Sequence, residues 1–225
     1  MTRKEVCGHI AEAGIIPAVR VPSADDARFA VTTLLASGLS VIELTMTVPG
    51  ALGLLAELSR AHPRLILGAG SVRDVAMAQR CLDAGAVFLT SPGLIPSVVE
   101  FALKHGITDI PGALTPTEVL TAMQAGASDY IKIFPCAQVG GPSYIKALKA
   151  PFPDARLIAS GGVNQKTAAD FIHAGAAAVG IRQELIPPEA IEDRNDDWIH
   201  ELSQRFQRIV KQARHELAPT AVPMP

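Results

Sequence analysis

Short apolar runs return along this chain about every 23 residues, each followed by a polar–apolar helical pattern. No other feature limits the fold so strongly, because strands that recur with one helix between them build a parallel, helix-covered sheet. The candidate strands begin near Ile15, Val41, Leu65, Val87, Ile107, Tyr130, Leu157 and Ala177. A local echo supports the repeat: Asp83-Ala-Gly-Ala, Gln124-Ala-Gly-Ala and His173-Ala-Gly-Ala each stop a helix at a glycine able to turn left-handed, and a strand follows at once. Helix starts are marked by Ser23-Ala-Asp-Asp and by Thr115-Pro-Thr-Glu, where Glu118 stands three residues after the cap. Eight such units predict an α/β fold, a closed (β/α)8 TIM barrel near the small end of its usual range of roughly 200–250 residues. An open doubly wound sheet is the alternative, since periodicity does not show closure. Residues 2–13 read as an extra N-terminal helix, and the last helix is expected over about 196–215. Residues 1–216 are therefore expected to form one domain, with 217–225, rich in proline, a flexible tail.

Composition narrows the function classes. Apolar residues are 48% and charged residues 19% of the chain, enough to bury a sizeable core. Twenty Lys and Arg against 22 Asp and Glu leave no strongly basic face, so neither nucleic acid nor an anionic membrane is expected as a partner. Cys7, Cys81 and Cys136 show no C-x-x-C spacing, which predicts a reduced, cytoplasmic protein. Apolar stretches such as Ala174 to Ile181 fall far short of the roughly 18 residues a membrane helix needs. The first residues lack the apolar core of a signal peptide.

Barrel active sites lie at the carboxyl ends of strands, so residues there that packing would not choose are informative. In Val41-Ile-Glu-Leu-Thr-Met, period-two alternation sends Ile42, Leu44 and Met46 to the helices and Glu43 inward. In Tyr130-Ile-Lys-Ile-Phe, it sends Tyr130, Lys132 and Phe134 inward. A buried amine and carboxylate form either a structural ion pair or a catalytic one. The catalytic option is imine formation, which needs the free amine; apolar surroundings favour that form and a neighbouring carboxylate opposes it.

These residues stand within an ordered set: Ile42-Glu-Leu-Thr, Leu67-Gly-Ala-Gly-Ser, Ser91-Pro-Gly, Ile110-Pro-Gly, Lys132-Ile-Phe-Pro, Gly141-Pro-Ser-Tyr and Ala159-Ser-Gly-Gly. Over about residues 10–190 the set resembles the class I 2-keto-3-deoxy-6-phosphogluconate and 6-phosphogalactonate aldolases. That resemblance implies a Schiff base between Lys132 and a 2-keto acid, with Glu43 as general acid/base, and release of pyruvate. It further implies that Gly70 and Ser71 hold the keto-acid carboxylate, that Pro92 and Phe134 wall the reacting carbons, and that Ser160 keeps the hydroxyl of a family threonine. It implies a homotrimer and no cofactor. No histidine cluster stands at the strand ends, so no metal is expected either.

Two departures bear on the substrate. Where the gluconate branch carries an arginine four residues after the glutamate to bind the keto-acid carboxylate, this chain has Thr47; Arg20, after the first strand, matches an arginine of the galactonate branch and is available to either the carboxylate or the distal phosphate. Phosphate sites in barrels use the loops after strands seven and eight, and Ser160-Gly161-Gly162 suits the first. After strand eight the family's small Gly-Ser loop is replaced by Gly180-Ile-Arg-Gln-Glu. Either Arg182 supplies a charge-assisted contact to a distal phosphate, or the substrate lacks phosphate, as in 4-hydroxy-2-oxoglutarate or a non-phosphorylated 2-keto-3-deoxy acid. Glu184 stands close enough in sequence to neutralise Arg182. From other classes, a phosphate-binding isomerase or epimerase with Asp109 as base, or a non-catalytic sugar-phosphate binder, are the alternatives.

Overall fold

The computed structural model describes residues 1–126 and 129–217. The strands are β1 (Ile15–Val19), β2 (Val41–Thr45), β3 (Ile66–Gly70), β4 (Phe88–Thr90), β5 (Thr108–Ile110), β6 (Gly112–Ala113), β7 (Ile131–Ile133), β8 (Leu157–Ser160) and β9 (Ala178–Ile181). The helices are α1 (Arg3–Ala13), α2 (Ala24–Ala36), α3 (Ala51–Ala61), α4 (Val75–Asp83), α5 (Pro96–His105), α6 (Pro116–Gln124), α7 (Pro142–Lys149), α8 (Ala168–His173), α9 (Pro188–Glu192) and α10 (Asp196–Leu217). Residues 218–225, most of the expected tail, lie outside the described residues.

All strand pairs are parallel, in the order β5-β4-β3-β2-β1-β9-β8-β7-β6. The ring closes through one interrupted strand. Pro111, which has no N–H to give a ladder, separates β5 from β6. β5 pairs with β4, β6 pairs with β7, and the Pro111 carbonyl accepts from Lys132 N at 2.9 Å. Eight barrel positions therefore appear as nine strands, the fifth in two pieces.

Helix ends follow the local signals. Thr115 and Glu118 form a reciprocal capping box, Ser23 accepts from Asp26 N, and Gly85, Gly126 and Gly175 are all left-handed. The apolar strand residues divide into two cores. Ile42, Leu44, Ile131 and Ile133 pack beneath the helices. Val41, Ile66, Phe88, Ile110, Tyr130 and Ile158 fill the amino-terminal end of the barrel together with Val6, Cys7 and Ile10 of α1.

The expected extra helix is thus a stopper. Ile10 is fully buried, contributing about 2 kcal/mol by the transfer of its side chain from water. The Tyr130 hydroxyl donates to Cys7 O at 3.1 Å. Arg214 of α10 donates to Ala11 O (2.7 Å), Glu12 O (2.9 Å) and Ala177 O (2.6 Å), satisfying terminal carbonyls of α1 and tying it to the start of β9. With α1 packed into the amino-terminal end, the lumen of the described residues opens at the carboxyl ends of the strands.

Candidate active site

Strand alternation carries Glu43 and Lys132 into the lumen from β2 and β7, as their sequences predict. The Lys132 Nζ donates to Glu43 Oε2 at 3.0 Å and lies 3.4 Å from Oε1. Their side chains are 13% and 5% exposed, so this is an ion pair held away from bulk water. Taking both charges out of water costs more than a surface pair does, and removing either partner would strand the other. The Phe134 ring lies 5.9 Å from the amine, on its own strand's end.

Two glycines make room for the pair's surroundings. A Cβ at Gly70 would fall 2.1 Å from Glu43 Oε1, so only glycine allows the carboxylate to lie against β3. At Gly162 the backbone is left-handed and a Cβ would meet Ala137 Cβ at 2.3 Å, which fixes the tight Ser160–Gly162 turn against the loop after β7. Next to Gly70, Ser71 adopts φ 62° without being glycine, a conformation costing of order 1–3 kcal/mol. Its hydroxyl accepts from Arg20 Nη2 at 3.0 Å, which orients that guanidinium over the mouth.

A cavity of about 190 Å³ joins these groups. Of the sequence-predicted residues it is lined by Arg20, Glu43, Lys132, Phe134, Ser160, Gly161, Gly162, Gly180 and Arg182. Gly70 and Ser71 stand one step behind the lining, touching Glu43 and Arg20 respectively. Thr47 and Pro92 are not in it. Thr47 is exposed, its hydroxyl 3.1 Å from that of Thr45, and Pro92 is exposed with its backbone pressed towards Gly112. A larger space of about 490 Å³ opens at the far end of the barrel, beside α1 and α10, but it holds no amine–carboxylate pair. Volume does not mark the site here; chemistry does.

Two arginines and one acid, Glu184, stand at the mouth, outside the Lys132–Glu43 pair. Arg20 and Arg182 both face the cavity. Burial, and then the Arg20 charge, push Arg182 below its ordinary range. Its guanidinium donates to Gln183 Oε1 at 3.2 Å, and among the described residues no ion pair joins it to Glu184. The Arg182–Glu184 ion pair considered from the sequence is therefore not formed, and Arg20 and Arg182 both stand where an anion would enter, with Glu184 on the same lining.

Sequence reasoning missed several neighbours. Ala18, Thr45, Val163, Ile181, Gln183 and Glu184 also line the cavity; Thr45 and Gln183 stand inside segments singled out from the sequence but were given no role there. Thr90 brings its hydroxyl to 3.5 Å from Lys132 Nζ. The signal was present in Phe88-Leu89-Thr90, where alternation turns a hydroxyl inward. Asp109 is buried without lining the cavity: Thr108 and Ile110 contact α1 or its packed core, so the residue between them points to the helices. Neither of its carboxylate oxygens has a partner, and burial pushes it up to about 7. Among the described residues, no group of three or more His, Cys, Asp or Glu side chains is arranged to hold a metal ion.

Residues 6–202 match the family described as KDPG and KHG aldolase. The 2-dehydro-3-deoxy-phosphogluconate aldolase of Pseudomonas aeruginosa is 31% identical over 207 residues, which are 91% of this chain and 93% of the relative. Among solved structures, the KDPG aldolase from Legionella pneumophila, with pyruvate captured at low pH as a covalent carbinolamine intermediate, aligns with TM-score 0.82 and 30% identity. That alignment covers 88% of this chain and 96% of the other. A native KDPGal structure aligns with TM-score 0.82 and 28% identity over 89% of this chain and 96% of that one.

Proposed function

The chain belongs to the KDPG and KHG aldolase family, and from that premise we infer how its own residues carry out class I aldol cleavage. The substrate is a 2-keto-3-deoxy-6-phospho sugar acid of the gluconate or galactonate series, and the products are pyruvate and glyceraldehyde 3-phosphate. The observation that carries the assignment of roles is the Lys132–Glu43 pair, 3.0 Å apart at the inner end of the cavity.

In this reading Lys132 passes a proton to Glu43, and its free amine adds to the C2 carbonyl of the substrate to give a carbinolamine. Glu43 returns the proton to the departing hydroxyl, water leaves, and a protonated imine remains. Glu43, again a carboxylate, removes the C4 hydroxyl proton. The C3–C4 bond breaks, its electron pair flowing into the iminium to give an enamine, and the aldehyde departs. Glu43 then protonates C3, and hydrolysis frees pyruvate and Lys132. Each proton taken is returned, so the pair ends as it began.

Binding roles follow the charge map. Arg20, held by Ser71, takes the keto-acid carboxylate, with Gly70 and Ser71 shaping that side. Phe134 walls the reacting carbons. The Ser160–Gly162 turn, Gly180 and Arg182 receive the distal phosphate, the arginine replacing the family's small donor loop. Pro92 and Thr47 lie outside the cavity lining and take no direct binding role in this reading. The same loop supports a second substrate reading. Arg182 meets a distal carboxylate as readily as a phosphate, so 4-hydroxy-2-oxoglutarate is the alternative to compare.

We further propose that residues 1–216 work as one domain, supported by the single closed sheet, and that the chain acts as a cytoplasmic homotrimer. No helix of the described residues is long and apolar enough to cross a membrane. Sedimentation at micromolar concentration tests the trimer. The central test is reduction with borohydride in the presence of pyruvate. A reduced pyruvyl adduct is expected on Lys132 by peptide mapping, lost in Lys132→Met together with turnover; label elsewhere, or none, overturns the mechanism.

A further inference from the structure

The catalytic sequence above leaves one buried hydroxyl at the reacting nitrogen without a task. Thr90 ends β4, 1% exposed. Its Oγ1 lies 3.5 Å from Lys132 Nζ, and among the described residues the amine is the one group within hydrogen-bond reach of that hydroxyl. Valine has nearly the same shape and would fill an interior strand end without bringing a polar atom that needs a partner. Threonine there places an oxygen against the amine, across from nothing else it can serve.

The nitrogen needs such an oxygen at one stage. As an ammonium it has three N–H groups, and the two Glu43 oxygens lie 3.0 and 3.4 Å away to accept from it. After the carbinolamine loses water, the protonated imine keeps a single N–H. Glu43 is then required at the C4 hydroxyl, and once it has taken that proton it is a weak acceptor. The Thr90 hydroxyl is the other oxygen at hand. Its 3.5 Å separation is long for a hydrogen bond, as polar contacts of unliganded active sites often are before substrate draws them in.

Resting on the Lys132 reading above, we propose that Thr90 is a positioning residue for the imine nitrogen: its hydroxyl accepts the iminium N–H and holds the C=N plane while Glu43 moves protons on the substrate. No bond to Thr90 forms or breaks. It takes no proton, so the proton balance remains that of Glu43 and water.

The test compares the parent chain with Thr90→Val, Thr90→Ala and Thr90→Ser. Cleavage turnover, the rate of borohydride trapping with pyruvate and its pH profile are measured beside thermal unfolding. Thr90→Val is expected to keep KM within about twofold and lose about tenfold in kcat. Its trapping profile should move to lower pH, because the nitrogen loses an acceptor that favours its charged form. Thr90→Ser should return kcat to within about threefold of the parent. Should the valine variant not fold, Thr90→Ala against Thr90→Ser asks the same question of the hydroxyl. A parent labelled at Lys132 whose valine or alanine variant matches it in turnover and pH profile overturns the Thr90 role alone. A serine variant as slow as valine also overturns it, since shape rather than the hydroxyl would then matter. An unlabelled parent overturns both this role and the mechanism it rests on.

Discussion

Glu43 and Asp109 are both acids on barrel strands, 4% and 6% exposed, yet their surroundings differ in kind. Glu43 points into the lumen, has the Lys132 amine at 3.0 Å, and lies in space that Gly70 leaves open. Asp109 points outward, paired across the ladder with Leu89, in a layer of aliphatic side chains where both its oxygens go unmatched. Burial therefore does not identify a working carboxylate. What separates the two is the direction of one side chain on a strand, which decides whether a counter-charge and a cavity lie within reach. A carboxyl with neither is kept neutral by its surroundings, and Asp109 is accordingly pushed up to about 7.

Three substitutions sharpen or break that contrast. Glu43→Gln keeps the size and removes the proposed proton carrier; kcat should fall by about 10²–10⁴-fold in a steady-state cleavage assay. A loss below tenfold would place the acid elsewhere. Arg182→Ala should raise KM about tenfold or more for whichever substrate carries the distal anion, with kcat less affected. Side-by-side assays with the 6-phosphorylated acid and 4-hydroxy-2-oxoglutarate show which one that is, and equal KM values for parent and variant would remove Arg182 from the site. Asp109→Asn should leave turnover unchanged and alter stability instead. The Asp109 carboxyl is raised in the folded state from an ordinary 3.8 to about 7, so its contribution to stability is full below about pH 4 and is lost as pH rises through about 7. Three pH units correspond to at most about 4 kcal/mol. The asparagine variant should unfold about 5–10 °C above the parent at pH 8, the gap closing near pH 4, by scanning calorimetry. Parallel pH curves for the two chains would show that Asp109 is already ionised at neutral pH.

Much of this arrangement is legible in the sequence because it is periodic. The eight strand starts lie within a residue or so of those expected, and alternation alone turns Glu43 and Lys132 to the same interior. What could not be read is non-local. Closure depends on Thr108–Ile110 pairing one neighbour and Gly112–Ala113 the other, and nothing in Ile110-Pro111-Gly112 announces that division of labour. Gly70 was marked as a residue type, but its reason, the Glu43 carboxylate pressed against it, lies 27 positions back in the chain. The strained Ser71 holding Arg20, and Thr90 beside Lys132, likewise join strands that share no local pattern. Thr47 and Pro92 show the converse limit. Matching a motif position placed them near the rim, while the side chains facing the cavity came from elsewhere.

The helix that plugs the floor has a consequence for traffic. With α1 packed beneath Tyr130 and tied down by Arg214, the lumen of the described residues is a cul-de-sac, and whatever enters leaves past the same lip. On the proposed mechanism the half bound to Lys132 departs last, so the aldehyde has to clear the passage before a water molecule can come in to free the pyruvate.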